Sequence, residues 1–108
     1  MKSLLLPLTA GGALVTLTVA TAWAQKDAKD IYLDKCAVCH GPDGGGKTAK
    51  GRKLKVMDVH ETVKKFTADQ MIKVVQDGKG NDMDSYSKEL SKDEIKAIVE
   101  HYRGLAKQ

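Results

Sequence analysis

A chain of 108 residues with 18 Lys/Arg against 14 Asp/Glu, net +4 at pH 7, is too short for a multi-domain enzyme and too charged for a polytopic membrane protein. The charge is uneven: residues 4–24 carry none, and the 84 residues after position 24 hold a net +3 and only four aromatics, Tyr32, Phe66, Tyr86 and Tyr102. That is a thin core for a domain of this size, which commonly needs a disulfide, a metal or a cofactor to be stable.

Met1-Lys2-Ser3 is a short basic start, residues 4–19 form an apolar run, and Ala22-Trp23-Ala24 is a small-x-small site. This order predicts a secretory signal peptide over residues 1–24, cleaved before Gln25. The alternative is an uncleaved anchor, since residues 4–24 could just span a bilayer. Pro7, Gly11-Gly12 and the threonines weaken the span. Either way the functional domain, residues 25–108, is expected outside the cytoplasm.

The mature chain reads as all-α, because no segment alternates long enough for a strand. A first helix is predicted over about 26–39. A second opens on the capping box Thr67-Ala68-Asp69-Gln70, carries Met71, Val74 and Val75 at helical spacing, and stops at Gly78. A third opens on Ser91-Lys92-Asp93-Glu94 and continues through Ile95, Ile98, Val99 and Tyr102, with Gly104 expected to close it. The stretch from His40 to Phe66, rich in glycine and lysine, is predicted as a long loop, which a small domain tolerates only if something else fills its middle.

The chemistry lies in Cys36-Ala37-Val38-Cys39-His40. Two thiols three residues apart point to one side of a helical turn and can add to two vinyl groups on one edge of a haem. His40 then stands ready for the iron. This is the c-type haem attachment signature, and it uses both cysteines of the chain. A Cys36–Cys39 disulfide would close too small a loop to stabilise much. A thioredoxin-like pair needs a βαβ context, and zinc needs two more ligands at a spacing that His60 and His101 do not offer.

From these residues the chain resembles the small bacterial monohaem class I c-type cytochromes, over nearly all of 25–108. Tyr32 stands four residues before Cys36, Gly41 follows His40, Gly78-Lys79-Gly80 leads to Met83, and Leu90-Ser91 leads through Glu94-Ile95 to Tyr102 and Leu105. The resemblance implies a cytochrome c-like fold with three main helices and long loops around one covalent haem c. The first and last helices would cross near the aromatic.

The sixth iron ligand has several candidates: Met57, Met71, Met83 and, less favoured, His60 and His101. Met71 lies on the apolar stripe of its helix, where packing is the ordinary role of a methionine. Met57 sits among Lys53, Lys55 and Asp58. Met83 lies in the polar run Gly80-Asn81-Asp82-Met83-Asp84-Ser85 and matches the family's ligand methionine. Two departures stand out. Asp84 occupies the place where the family often has proline after that methionine, so a rigid turn is lost and a negative charge added. The family also often gives the iron-bound imidazole a proline carbonyl as partner; here Gly51-Arg52-Lys53-Leu54 leaves the Arg52 carbonyl to serve.

Lys47, Lys50, Arg52, Lys53 and Lys55 form a basic cluster that could steer an acidic redox partner; the bland alternative is a solvated loop. No aromatic is interleaved with these bases, so nucleic acid is not expected. Membrane association is expected only if residues 1–24 are retained. The resulting expectation is a non-enzymatic periplasmic electron carrier cycling iron between Fe(II) and Fe(III), with Cys36 and Cys39 as tethers and His40 and Met83 as axial ligands. A haem c enzyme or sensor with an open or displaceable distal site is the rival, supported by Asp84. A haem-free thiol–disulfide oxidoreductase is a more distant one.

Overall fold

The computed structural model describes residues 11–12 and 27–108. The expected signal peptide, 1–24, lies outside the described residues apart from Gly11 and Gly12. The expected boundary at residue 25 lies outside them as well.

Helix formation follows the caps. Asp27 caps α1 (Ala28–Lys35), and α2 (Ala37–His40) comes after a turn at Cys36. Thr48 caps α3 (Ala49–Leu54), and Asp58 caps α4 (Val59–Lys65) by accepting from His60 N. Full capping boxes open α5 (Ala68–Asp77), through Thr67 and Gln70, and α6 (Lys92–Gly104), through Ser91 and Glu94. Each box satisfies two backbone donors that a helix start leaves free. A 3-10 turn, Leu105–Lys107, ends the chain. No strand forms among the described residues; Lys79 and Met83 make an isolated bridge.

Three expectations change. The first helix is not continuous over 26–39 but breaks at Cys36. The long loop from His40 to Phe66 contains α3 and α4, because Thr48 and Asp58 supply caps that a search for apolar periodicity passes over. The third concerns manner rather than place: α6 ends at Gly104 as expected, but not through a left-handed glycine stop. Gly104 keeps helical dihedrals, φ −61° and ψ −27°, and the chain runs on into the 3-10 turn.

The core is built where α1 and α5 pack on α6. Ile95, Ile98, Val99 and Tyr102 fall on one stripe of α6 and meet Ile31 and Tyr32 of α1, Met71 of α5, Val59 of α4, Leu90 and Leu105. Each large apolar side chain buried in this way contributes about 2 kcal/mol. Cys36, Ala37 and Tyr86 pack against the same cluster, which places the cysteine turn at the edge of the core. No helix among the described residues is long and apolar enough to cross a membrane.

Candidate functional site

The break at Cys36 sets the geometry of the site. Cys36 N closes α1 by donating to Tyr32 O at 2.8 Å, while Cys36 O accepts from Cys39 N at 3.2 Å and His40 N at 2.9 Å. Both thiols are free and half-buried. They therefore sit one turn apart with His40 directly after them. Burial, reinforced by Cys39 and opposed by Lys35, pushes the Cys36 thiol up to about 11, so it is protonated at neutral pH.

The turn is pinned from two sides. The buried Tyr32 hydroxyl donates to Gly41 O at 2.6 Å, just past His40. On the other side Thr48 Oγ1 donates to Val38 O at 2.7 Å while accepting from Gly51 N at 2.9 Å, so one side chain joins α2 to the first turn of α3. Gly51 is buried where α3 crosses α2; a Cβ there would run into the backbone carbonyls of Cys39 and Gly46. Burial and the charges of Tyr102, Cys36 and Asp43 hold the Tyr32 phenol well above its ordinary value, so it stays a donor.

His40 is half-buried, and its ring meets the Tyr102 ring edge-on at 5.3 Å. Its Nδ1 is buried with no hydrogen-bond partner. Burial alone lowers its pKa, favouring the neutral imidazole that binds metals. The expected Arg52 carbonyl does not reach it. That carbonyl accepts from Lys55 N at 3.3 Å, because residues 49–54 are a helix and Arg52 is used to close it.

Met83 lies half-buried in the loop between α5 and α6, where Lys79 N donates to its carbonyl at 2.8 Å. The other candidates lie elsewhere. Met71 is in the core at 7% exposure, whereas Met57 is 37% exposed. His60 pairs with Asp58 at 2.8 Å, and His101 stacks on Tyr32 at 5.1 Å. The structure brings Cys36, Cys39 and His40 together on one turn and leaves Met83 on a separate loop. The link between the two is Tyr86, which the sequence alone offers only as one aromatic among four. Its hydroxyl donates to Lys35 O at 3.4 Å, and its phenol is raised chiefly by burial, then by the nearby Cys36, Asp84 and Glu89. Lys35 and Glu89, 3.1 Å apart, close the same junction at the surface. The available clue is the spacing from Met83 to an aromatic and then an apolar residue, Tyr86 to Leu90.

These residues fit a covalent haem. The two thiols are free and one turn apart, the Cys36 thiol is protonated, and the neighbouring imidazole is neutral with its Nδ1 unpaired. Among the described residues no titratable side chain pairs with His40.

The family described as cytochrome c oxidase, cbb3-type, subunit III matches residues 24–101. Among solved structures, the KustC0563 c-type cytochrome is 30% identical, with a TM-score of 0.68 over 73% of this chain and 96% of that one. A Kustc0563 variant carrying a tyrosine-to-phenylalanine exchange is 28% identical over 73% of this chain and 98% of its own, with a TM-score of 0.67. The c-type cytochrome XoxG from Methylobacterium extorquens AM1 is 19% identical, with a TM-score of 0.52 over 78% of this chain and 53% of that one; it shares the fold. No curated protein matches the chain.

Proposed function

Because the chain belongs to the cytochrome c family, with covalently attached haem c and haem-based electron transfer as its business, we propose that it is a periplasmic one-electron carrier with His40 and Met83 as axial ligands. Cys36 and Cys39 are the thioether tethers. Held by these residues, a haem would supply a one-electron Fe(III)/Fe(II) couple for transfer between protein partners. The observation that carries this reading is the single pinned turn holding both free thiols and the neutral His40.

The chain's own work is positional. Tyr32 and Thr48 hold the carbonyls of Gly41 and Val38, which limits movement of the tethers and of His40. With His40 holding the iron, a thioether from Met83 would favour Fe(II) more than a second imidazole would. The core beneath α1 and α6 keeps water from the imidazole side. Lys47, Lys50, Arg52, Lys53 and Lys55 are all exposed, and α3 packs directly on α2. This supports docking of an acidic redox partner beside the attachment turn. Export to the periplasm rests on residues 1–24.

The second reading is a haem c enzyme or sensor with a displaceable distal ligand. It is favoured by the exposure of Asp82, Asp84 and Ser85 around Met83 and by Asp84 in place of a turn-fixing proline. Optical spectra of the full chain, made in cells that attach haem c, separate the two. The carrier shows the ferric band of iron–methionine ligation, lost in Met83→Ala and kept in Met57→Ala. A high-spin ferric spectrum, or rapid carbon monoxide binding by the reduced protein, would establish the enzyme or sensor instead.

A further inference from the structure

The loop that carries Met83 begins and ends on the same helical turn. A helix leaves its last four carbonyls without partners, and the last turn of α5 uses both ends of the loop to satisfy three of them. Gly78 N donates to Val74 O at 2.7 Å, Tyr86 N donates to Val75 O at 2.9 Å, and the Ser85 hydroxyl donates to Gln76 O. Within the loop, Lys79 N holds Met83 O at 2.8 Å. The crossing leaves no room: Gly78 has φ +75°, and a Cβ there would lie 2.7 Å from Met83 O and 2.8 Å from Ser85 N. The backbone bonds at Val74 and Val75 are available to almost any sequence. The bond to Gln76 exists only because residue 85 has a hydroxyl.

We propose that Ser85 is a positioning residue: by capping α5 at the Gln76 carbonyl it holds Met83 in place and sets how fast an external ligand displaces it. The proposal rests on the reading of Met83 as the distal ligand. Two residues before Ser85, a fixed backbone is what a ligand methionine needs, and Asp84 supplies no fixed φ of the kind proline gives. The hydroxyl cap supplies the missing constraint from one residue further on. Opening the loop then means breaking this cap together with the Lys79–Met83 bond, a local event that leaves the α1–α6 core intact.

The test uses the haem-loaded full chain and imidazole as probe, with the rate of Met83 displacement tracked by stopped-flow absorbance. Loss of one exposed hydrogen bond predicts that Ser85→Ala speeds displacement by roughly two- to tenfold. Ser85→Thr keeps the wild-type rate, and Ser85→Val, matched to threonine in shape but without the hydroxyl, behaves as Ser85→Ala. In a Met83→Ala background the Ser85 exchanges change nothing. Variants that lower Tm yet leave the displacement rate unaltered overturn the proposal, as does a Ser85→Thr as fast as Ser85→Val. If Met83→Ala retains the wild-type spectrum, the distal-ligand reading itself falls; if that spectrum changes while Ser85→Ala does not alter the rate, only the role of Ser85 falls.

Discussion

Replacing Tyr32 by phenylalanine isolates one hydrogen bond at the attachment turn. Tyr32 is 1% exposed and its hydroxyl reaches Gly41 O at 2.6 Å. Phenylalanine keeps the ring, so the packing against α6 is unchanged and only the bond is lost. Two costs are possible: about 1 kcal/mol for a net hydrogen bond, or as much as about 3 kcal/mol if a buried acceptor is left orphaned. The structure decides between them, because Gly41 O also accepts from Gly44 N at 3.0 Å and so keeps a partner. The expected loss is therefore about 1 kcal/mol, which in a domain of under 100 residues lowers Tm by about 4–8 °C. Thermal melts of the haem-loaded protein, read by circular dichroism, measure it, with the haem spectrum recorded alongside and expected to stay as in wild type. The gap between the two proteins should narrow above pH 10. There the unfolded tyrosine ionises while the buried phenol, its pKa raised, does not, so wild type alone loses stability. A Tm within about 2 °C of wild type would refute the reasoning, and so would a fall beyond about 15 °C.

The same geometry carries further expectations. Gly51→Ala should cost about 3 kcal/mol, the upper end for overpacking, because the obstacles are backbone carbonyls that cannot rotate away; chemical denaturation reads it directly. Gly104→Ala should instead stabilise by about 0.5–1 kcal/mol, since the residue is helical and a Cβ meets nothing within 4 Å. His60 is raised chiefly by its hydrogen bond to Asp58, and Asp58 is lowered chiefly by its bond from the His60 backbone. The pair thus stabilises between the two transitions: the Asp58 share is lost as pH falls below its usual 3.8, and the His60 share is lost as pH rises past 6.5 and through its raised value. Melts of His60→Ala against wild type should differ more at pH 5.5 than at pH 8.5, and equal differences would remove the pair from the account. A Cys36→Ala/Cys39→Ala chain, unable to hold haem, should melt without cooperativity; a sharp transition would show that the apolar cluster suffices alone.

How much of this is legible in the sequence depends on range. The boxes at Thr67–Gln70 and Ser91–Glu94 are local chemistry, and α5 and α6 form where those residues say. The stripe Ile95, Ile98, Val99 and Tyr102 is equally local, and it is buried. Helices α3 and α4 are not amphipathic enough to betray themselves by period; their signal is a cap, with Asp58 and Glu61 at box spacing, inside a segment whose lysines and glycines read as loop. Gly104 marks where α6 ends but not how: its φ stays negative, and Leu105 and Ala106 continue the chain in a 3-10 turn. At the site, Cys36, Cys39 and His40 are plain because they are contiguous. The Arg52 carbonyl fails as partner of His40 because its availability depends on α3, a helix with no periodic signal. Ser85, Tyr86 and Thr48 act across 9, 51 and 10 residues respectively, and no local pattern reports such contacts.

The two hydrogen bonds of Thr48, one donated to Val38 O and one accepted from Gly51 N, bear on association. Five cations spread along a free loop would have to be gathered before any acidic surface could use them, and ordering a loop costs binding free energy. Here the backbone beneath Lys50, Arg52 and Lys53 is a helix already bolted to the attachment turn. The docking proposed for this surface would need to order only side-chain tips. Its rate would then respond to ionic strength rather than to a conformational step in this chain, and brief contacts would come without a large entropic toll.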